Sequence, residues 1–144
     1  TAMNKTEIEL IRETWKMVEP IADTAAQLFY RRLFEIDPDT RLLFAATDMA
    51  AQHKKLIGAL SLTVGKLDRI ESLVPILQKL GRDHVKYGVE ARHYVAVGSA
   101  LLWTLEQGLG PRFTERARAA WTTAYALVSD TMRQAAADAQ RSTG

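Results

Sequence analysis

Apolar residues recur at helical spacing along most of this chain, and this periodicity constrains the fold more than any other feature of the sequence. In the stretch that starts at Ser72, the residues Leu73, Leu77 and Leu80 form one stripe, and His84 continues it. Residues three, four and seven apart share one face of an α-helix, whereas a half-buried strand alternates at every second residue. No alternating stretch of useful length occurs. The sequence therefore predicts an all-α protein.

Helix-starting and helix-stopping residues divide this pattern into separate helices. We expect a first helix opened by a capping box of Thr6 and Glu9, and a second helix with Pro20 in its first turn. Asp37 and Pro38 should end the second helix, because the residue before a proline disfavours the helical conformation. Similar signals mark the later helices, with caps at Asp48 and Thr114 and stops at Gly88 and the stretch "GLGP".

Length and composition fit one globular domain that spans 1–144. The 144 residues are 47% hydrophobic and 25% charged, which argues against disorder. Thr1 and Ala2 precede Met3 and are interpreted as a cloning remnant. The alanine-rich tail 135–144 is expected to fray.

The charge pattern and the apolar stretches exclude several classes of partner. The net charge is only +2, and the basic residues are scattered rather than gathered with aromatic residues, so we expect no binding to nucleic acid. Apolar stretches such as "SLVPIL" fall far short of the roughly 20 residues that a membrane span needs. No signal peptide opens the chain, and we expect a cytoplasmic protein that does not bind membranes.

The sequence contains no obvious catalytic set. Cysteine is absent, which excludes disulfides, thiolate metal sites and covalent haem attachment through Cys-x-x-Cys-His. Most carboxylates fall on predicted solvent faces, and neither common Gly-rich phosphate loop is present. No catalytic residue is therefore assigned, and any metal would depend on histidine or carboxylate ligands.

Three polar residues lie where the apolar stripes should meet. His84 could be a packed core residue, a charge at a helix end or a metal ligand, and nothing local decides among these roles. Tyr30 is most simply a buried ring whose hydroxyl bonds to the backbone, and Gln52 is most simply solvated. Each residue alone is a weak indication of a site.

Four segments in this order resemble the globin family over nearly the whole chain. They are "FYRRLFEIDPDTRLLF", "QHKKLIGAL", "LGRDHVKYGV" and "HYVAVGSALLWTLEQGLGPRFTERARAAWTTAY". The likeness is greatest to single-domain bacterial globins of the thermoglobin type, and neuroglobins and flavohaemoglobin haem domains are somewhat further away. The resemblance implies a globin fold with about seven to eight helices around a haem pocket.

The resemblance gives His84 the role of the proximal ligand of a non-covalent haem b. A neutral imidazole is a usual fifth ligand of haem iron and leaves the sixth position open for oxygen or another diatomic gas. The second ring nitrogen of His84 needs an acceptor, and the Leu80 carbonyl one turn earlier can provide it. By the same resemblance, Val89, Tyr94 and Val97 line the proximal and inner walls.

The resemblance also implies a set of residues on the distal side. Tyr30 and Gln52 match the distal positions, and Leu56 matches the apolar residue above the iron. Phe44 matches the ring that packs flat on the haem, which is compatible with a plain core role. Lys55 matches a cation that pairs with a haem propionate, although a solvated lysine fits it as well.

Two further histidines raise the alternative of ligation by two histidines, as in neuroglobins. Gln52, and not His53, keeps the four-residue step to Leu56. On an ideal helix His53 should point about 100° away from the pocket. We therefore expect neither His53 nor His93 to be a ligand.

The Tyr30 and Gln52 pair resembles the distal pattern of flavohaemoglobins, which convert nitric oxide to nitrate with oxygen. In that family a tyrosine and a glutamate of the last helix support the proximal histidine. Tyr94 matches the tyrosine, but the glutamate position falls on Ala136. A histidine without that carboxylate pushes less electron density to iron, which argues against a dedicated nitric oxide dioxygenase.

Four functions stay open from the sequence. The first is reversible, high-affinity oxygen binding for storage, transport or scavenging. The second is nitric oxide dioxygenation with a separate reductase as electron donor, and the third is a sensor module. The fourth is a haem-free helical interaction protein.

Overall fold

The computed structural model describes residues 3–143 and is helical over most of that range. Seven α-helices and three single-turn 3-10 helices occur there, without a strand, which confirms the all-α prediction and the expected number of helices. The α-helices are α1 (Lys5–Val18), α2 (Ala22–Ile36), α3 (Thr40–Leu43), α4 (Met49–Gly65), α5 (Ile70–Lys86), α6 (Ala91–Leu109) and α7 (Glu115–Thr143). Thr1 and Ala2, the predicted cloning remnant, lie outside the described residues.

The first helix begins earlier than predicted, at a different capping box. Asn4, and not Thr6, is the N-cap: its side-chain oxygen accepts a bond from the Glu7 backbone N–H, and the Glu7 side chain accepts one from the Asn4 N–H. Pro20 also lies outside the predicted position, in a 3-10 turn (Glu19–Ile21) just before α2. Asn4/Glu7 and Thr6/Glu9 have the same spacing, so the pattern alone does not choose between them.

The remaining predicted boundaries agree with the structure. Asp48 accepts a bond from the Ala50 N–H at 3.1 Å at the start of α4, and Thr114 accepts one from the Ala117 N–H at 3.1 Å at the start of α7. Gly88 follows the end of α5 with a φ of +82°, a conformation that favours glycine.

The tail that we predicted to fray is helical. α7 continues through Ala135 to Thr143, and Ala135 is buried with 7% of its surface exposed. The residues that follow Ala135, up to Arg141, are partly or fully exposed, so fraying of the tail stays a prediction.

The buried side chains form two clusters that α6 connects. The larger cluster joins α1, α2, α6 and the first half of α7, and includes Tyr30. The smaller cluster joins α5, α6 and α7 around Leu73, Leu77, Tyr94 and Met132. α5 packs mainly on α7, whereas α4 packs on α1 and α2.

A glycine sets the distance between α5 and α7. A Cβ added to Gly81 would lie 2.2 Å from the Met132 carbonyl oxygen, far inside normal contact. The absence of a side chain at Gly81 therefore allows the two helices to cross closely, one turn before His84.

Helices α4 and α5 do not pack extensively on each other within residues 3–143, apart from the 3-10 turn (Leu67–Arg69) between them. Apolar side chains at the inner borders of the two clusters, such as Leu56 and Leu80, stay only partly buried. We call this sparsely packed region between α4 and α5, which these apolar side chains border, the cleft. None of the helices in the described range is long and apolar enough to span a membrane.

Candidate functional site

His84 lies in the last turn of α5, half buried at the edge of the smaller cluster. Its Nδ1 is 2.6 Å from the Leu80 carbonyl oxygen. Because a carbonyl only accepts, Nδ1 carries the proton and donates it, and Nε2 keeps a free lone pair. The bond confirms the predicted acceptor and fixes both the tautomer and the plane of the ring. His84 could therefore coordinate a metal through Nε2.

Tyr30 and Gln52 meet between α2 and α4. The Gln52 Nε2 donates to the Tyr30 hydroxyl oxygen at 3.0 Å, and Tyr30 is buried with 5% of its surface exposed. The simple alternatives for the pair, a tyrosine bonded to backbone and a solvated glutamine, do not hold in this structure. The hydroxyl oxygen accepts this bond and retains its own proton for a further acceptor.

The surroundings of Tyr30 keep its hydroxyl protonated. Burial raises the pKa of the Tyr30 phenol, and the hydrogen bond from Gln52 opposes this effect in part. A phenol whose pKa lies above its usual value near 10 stays neutral at physiological pH. Tyr30 is therefore a hydrogen-bond donor in this site and not an anion.

Four aromatic rings surround the Tyr30 ring. Phe29 and Phe44 present their edges at centroid distances of 5.0 and 5.4 Å, and Phe34 is tilted at 6.2 Å. The His53 imidazole stacks on Tyr30 at 5.3 Å with an interplanar angle of 20°. We expected His53 to point away from the pocket, and it instead packs directly on a predicted pocket residue.

The other predicted pocket residues, except Lys55, lie in or beside the two apolar clusters. Phe44, Leu56 and Val97 are partly buried against the larger cluster, whereas Leu80 and Val89 are partly buried against the smaller one. Tyr94 is a buried member of the smaller cluster. Lys55 is exposed on α4 and has no ion pair among the described residues.

The Tyr94 hydroxyl is buried without a hydrogen-bond partner in the described part of the chain. Burial raises the pKa of Tyr94, and the charge of Arg133 opposes this in part. A carboxylate near Tyr94 could accept a hydrogen bond from its hydroxyl. The resemblance to flavohaemoglobins matches Ala136 to the position of that carboxylate. The orphaned hydroxyl is consistent with a proximal side that lacks this acceptor.

Sequence reasoning missed two residues that shape the site, Gly81 and His53. Gly81 carried a signal, because glycine in a helix interior costs about 1 kcal/mol relative to alanine and so indicates a packing reason. The stacking of His53 had no local signal, because it depends on how α4 crosses α2.

His93 is buried at the start of α6. Its Nδ1 accepts a bond from the Glu90 N–H at 2.8 Å and completes the cap at the start of α6.

Together these features define a class of protein. It is an all-α fold with an oriented imidazole, His84, on α5 and a buried hydrogen-bond donor, Tyr30, next to α4. Comparisons with known proteins agree. The family model described as Globin matches residues 27–132, which is more than half of the chain. The chain belongs to the globin family, and the resemblance seen in the sequence is confirmed.

The relatives include neuroglobins and flavohaemoproteins. The neuroglobin of Chaenocephalus aceratus is 30% identical over 139 residues, which cover 88% of this chain and 87% of that protein. The flavohaemoprotein of Bacillus subtilis strain 168 is 29% identical over 129 residues, 88% of this chain. This chain spans about a third of the flavohaemoprotein, since the match covers 32% of its length.

Solved structures show the same fold. A bacterial globin from Campylobacter jejuni superposes with a TM-score of 0.83 at 22% identity and covers 96% of this chain and 99% of that chain. A hexacoordinated haem protein from an anhydrobiotic tardigrade superposes with a TM-score of 0.85 at 16% identity, covering 94% and 96%. Membership of the globin family implies a haem cofactor and the binding of diatomic gases.

Proposed function

We propose that this globin binds oxygen reversibly and with high affinity, through His84 on the proximal side and Tyr30 and Gln52 on the distal side. The observation that carries the proposal is the 3.0 Å hydrogen bond from Gln52 to the Tyr30 hydroxyl. This bond occupies an acceptor site of the phenol and leaves its proton free to donate. Reversible, high-affinity binding of this kind would serve storage, transport or scavenging of oxygen.

The residues of the cleft fit a non-covalent haem b. The apolar side chains on both walls suit its flat apolar faces, and Phe44 lies on the wall next to Tyr30. His84 offers an Nε2 lone pair because Nδ1 is bonded to Leu80. Lys55 is exposed and free to reach an anionic propionate. A haem held by these residues would supply a ferrous iron with one position open for a gas.

The distal pair would discriminate between gases by hydrogen bonding. A ferrous haem would donate electron density to oxygen and leave partial negative charge on its outer atom, which would attract the phenol proton of Tyr30. Carbon monoxide is a poorer acceptor and gains less. A hydrogen bond to a partly charged acceptor in a dry pocket contributes roughly 1.5–3 kcal/mol.

The substitution Tyr30→Phe tests the proposal, because it keeps the ring and removes only the donor. We expect oxygen to dissociate about 10- to 100-fold faster, since about 1.4 kcal/mol corresponds to a factor of ten. Carbon monoxide dissociation should change much less. Stopped-flow displacement of oxygen and of carbon monoxide from the ferrous protein measures both rates.

The outcome separates a distal donor from a plain core tyrosine. If Tyr30 only packs, the substitution should lower the free energy of unfolding by about 1 kcal/mol. The dissociation rates of oxygen and of carbon monoxide should then both stay unchanged. An oxygen dissociation rate within about twofold of the parent would contradict the distal role, because twofold is only about 0.4 kcal/mol.

A second candidate function is nitric oxide dioxygenation with a separate reductase, which the match to flavohaemoproteins favours. Neither common Gly-rich phosphate loop of a nucleotide site occurs in the 144 residues. We therefore expect nitric oxide consumption by this chain to stop after one round unless a reductant is added. Sustained consumption with NADH alone, measured with a nitric oxide electrode, would refute this expectation.

A further inference from the structure

Two consecutive residues of α4 hold the distal tyrosine in different ways. Gln52 donates to the hydroxyl of Tyr30, and His53 stacks on the ring of Tyr30. Of the four rings that contact Tyr30 within residues 3–143, three are inclined by 41° to 87° and only that of His53 is nearly parallel, at 20°. The imidazole is thus stacked nearly parallel to the phenol and offset from it, whereas two of the phenylalanines contact the phenol edge to face.

We propose that His53 is a positioning residue for the Tyr30 donor, and that oxygen retention depends on the stacked pair. The inference rests on the proposed function, since it assigns His53 a role in the same distal site. His53 acts through Tyr30 and needs no contact with the gas. Its ring limits rotation of the phenol, so that the hydroxyl proton stays aimed into the cleft.

The stacking has an effect that the hydrogen bond from Gln52 does not provide. A single hydrogen bond fixes the position of the hydroxyl oxygen but lets the ring rock about it. A flat ring on the phenol face restricts that motion, and offset-stacked aromatic pairs are favoured beyond the area they bury. Without His53, the phenol should divide between an arrangement that donates to the gas and one that does not.

The matched variants are His53→Ala, which removes the ring, and His53→Phe, which keeps a flat ring without nitrogen atoms. We expect His53→Ala to speed oxygen dissociation by about three- to tenfold, from the size of aromatic pair interactions. His53→Phe should stay within about twofold of the parent rate. Rescue by phenylalanine would show that the stacked ring matters and that hydrogen bonding or charge of the imidazole does not.

A double-substitution cycle shows whether His53 acts through Tyr30. In the Tyr30→Phe protein, His53→Ala should change oxygen dissociation by less than twofold, because no donor is left to position. The infrared C–O stretch of the carbon monoxide complex gives a second measurement. It should show one main band in the parent, and His53→Ala should add a band at the frequency found in Tyr30→Phe.

The results separate this inference from the proposed function. If Tyr30→Phe leaves oxygen dissociation unchanged, the proposed function fails, and the role of His53 fails with it. If Tyr30→Phe speeds dissociation while His53→Ala has no effect, only the role of His53 is wrong. An equal effect of His53→Ala with and without the Tyr30 hydroxyl would also overturn it, because His53 would then act independently of the donor.

Discussion

At the scale of single residues, one backbone carbonyl decides which nitrogen of His84 is available. The bond from Nδ1 to the Leu80 carbonyl is internal to α5, so it forms as soon as the helix does. A metal bound at Nε2, as proposed, would need little reorientation of the ring, which would lower the entropy cost of binding.

Removal of the imidazole should remove stable haem. We expect His84→Ala to purify with little haem, because the chain has no cysteine, His53 packs against Tyr30, and His93 is buried at the start of α6 with its Nδ1 bonded to the Glu90 N–H. The ratio of Soret to protein absorbance measures haem content. His53→Ala is the control and should keep full haem. A His84→Ala protein with full haem and an unchanged ferrous spectrum would show that His84 is not the ligand.

Part of this site could be predicted from the sequence, and the reason differs by residue. The apolar stripe of α5 predicts that His84 faces inward with the acceptor Leu80 one turn away, but its role as a ligand depends on resemblance. Tyr30 and Gln52 depend on resemblance, because their bond joins α2 to α4. The stacking of His53 depends on the crossing of the same two helices, which no local pattern determines.

At the scale of helices, periodicity predicts the interior of each helix better than its ends. Burial of a whole stripe involves many residues, whereas a cap involves one or two polar side chains that compete with neighbours at similar spacing. The start of α1 shows this, since two candidate capping boxes overlap there. The alanine-rich tail of α7 is another such end, because alanine suits both a frayed end and a packed helix.

The two candidate caps of α1 can be separated by alanine substitution. Asn4→Ala should lower the free energy of unfolding by about 1 kcal/mol, because it leaves the Glu7 N–H without its acceptor. Thr6→Ala should change it by less than about 0.5 kcal/mol, since Thr6 is exposed within the helix. Urea unfolding followed by circular dichroism measures both. A larger loss at Thr6 than at Asn4 would favour the original prediction.

The crossing of α5 and α7 should be sensitive to a single added carbon atom. Gly81→Ala places a Cβ against the Met132 carbonyl oxygen, so α5 must move, and we expect a loss of about 1–3 kcal/mol of stability. Gly58→Ala is the matched control, because Gly58 lies inside α4 with open space around its Cβ position. That control should gain about 0.4–1 kcal/mol. Equal stabilities of the two variants in urea unfolding would show that α5 and α7 tolerate a wider separation.

Across the fold, the helices differ in how many other helices pack against them. α6 packs on α1, α2 and α7 and joins both apolar clusters. α5 packs mainly on α7, and its other face, with His84 and Leu80, borders the cleft. A group that binds in the cleft should therefore contribute more to the order of α5 than to the order of α6.

Removal of haem should therefore increase local unfolding more in α5 than in α6. We expect the haem-free protein to melt at a lower temperature, because a ligand that binds only the folded state stabilises it by mass action. Amide hydrogen exchange should increase most in the second half of α5, where one face loses its partner, and least in α6 around Ala100 and Leu105, which are almost fully buried. Hydrogen-exchange mass spectrometry of the haem-bound and haem-free protein compares the helices directly, and re-addition of haem should restore the slow exchange. A uniform increase over all helices would mean that haem stabilises the fold only globally, and that α5 does not depend on the cleft for its order.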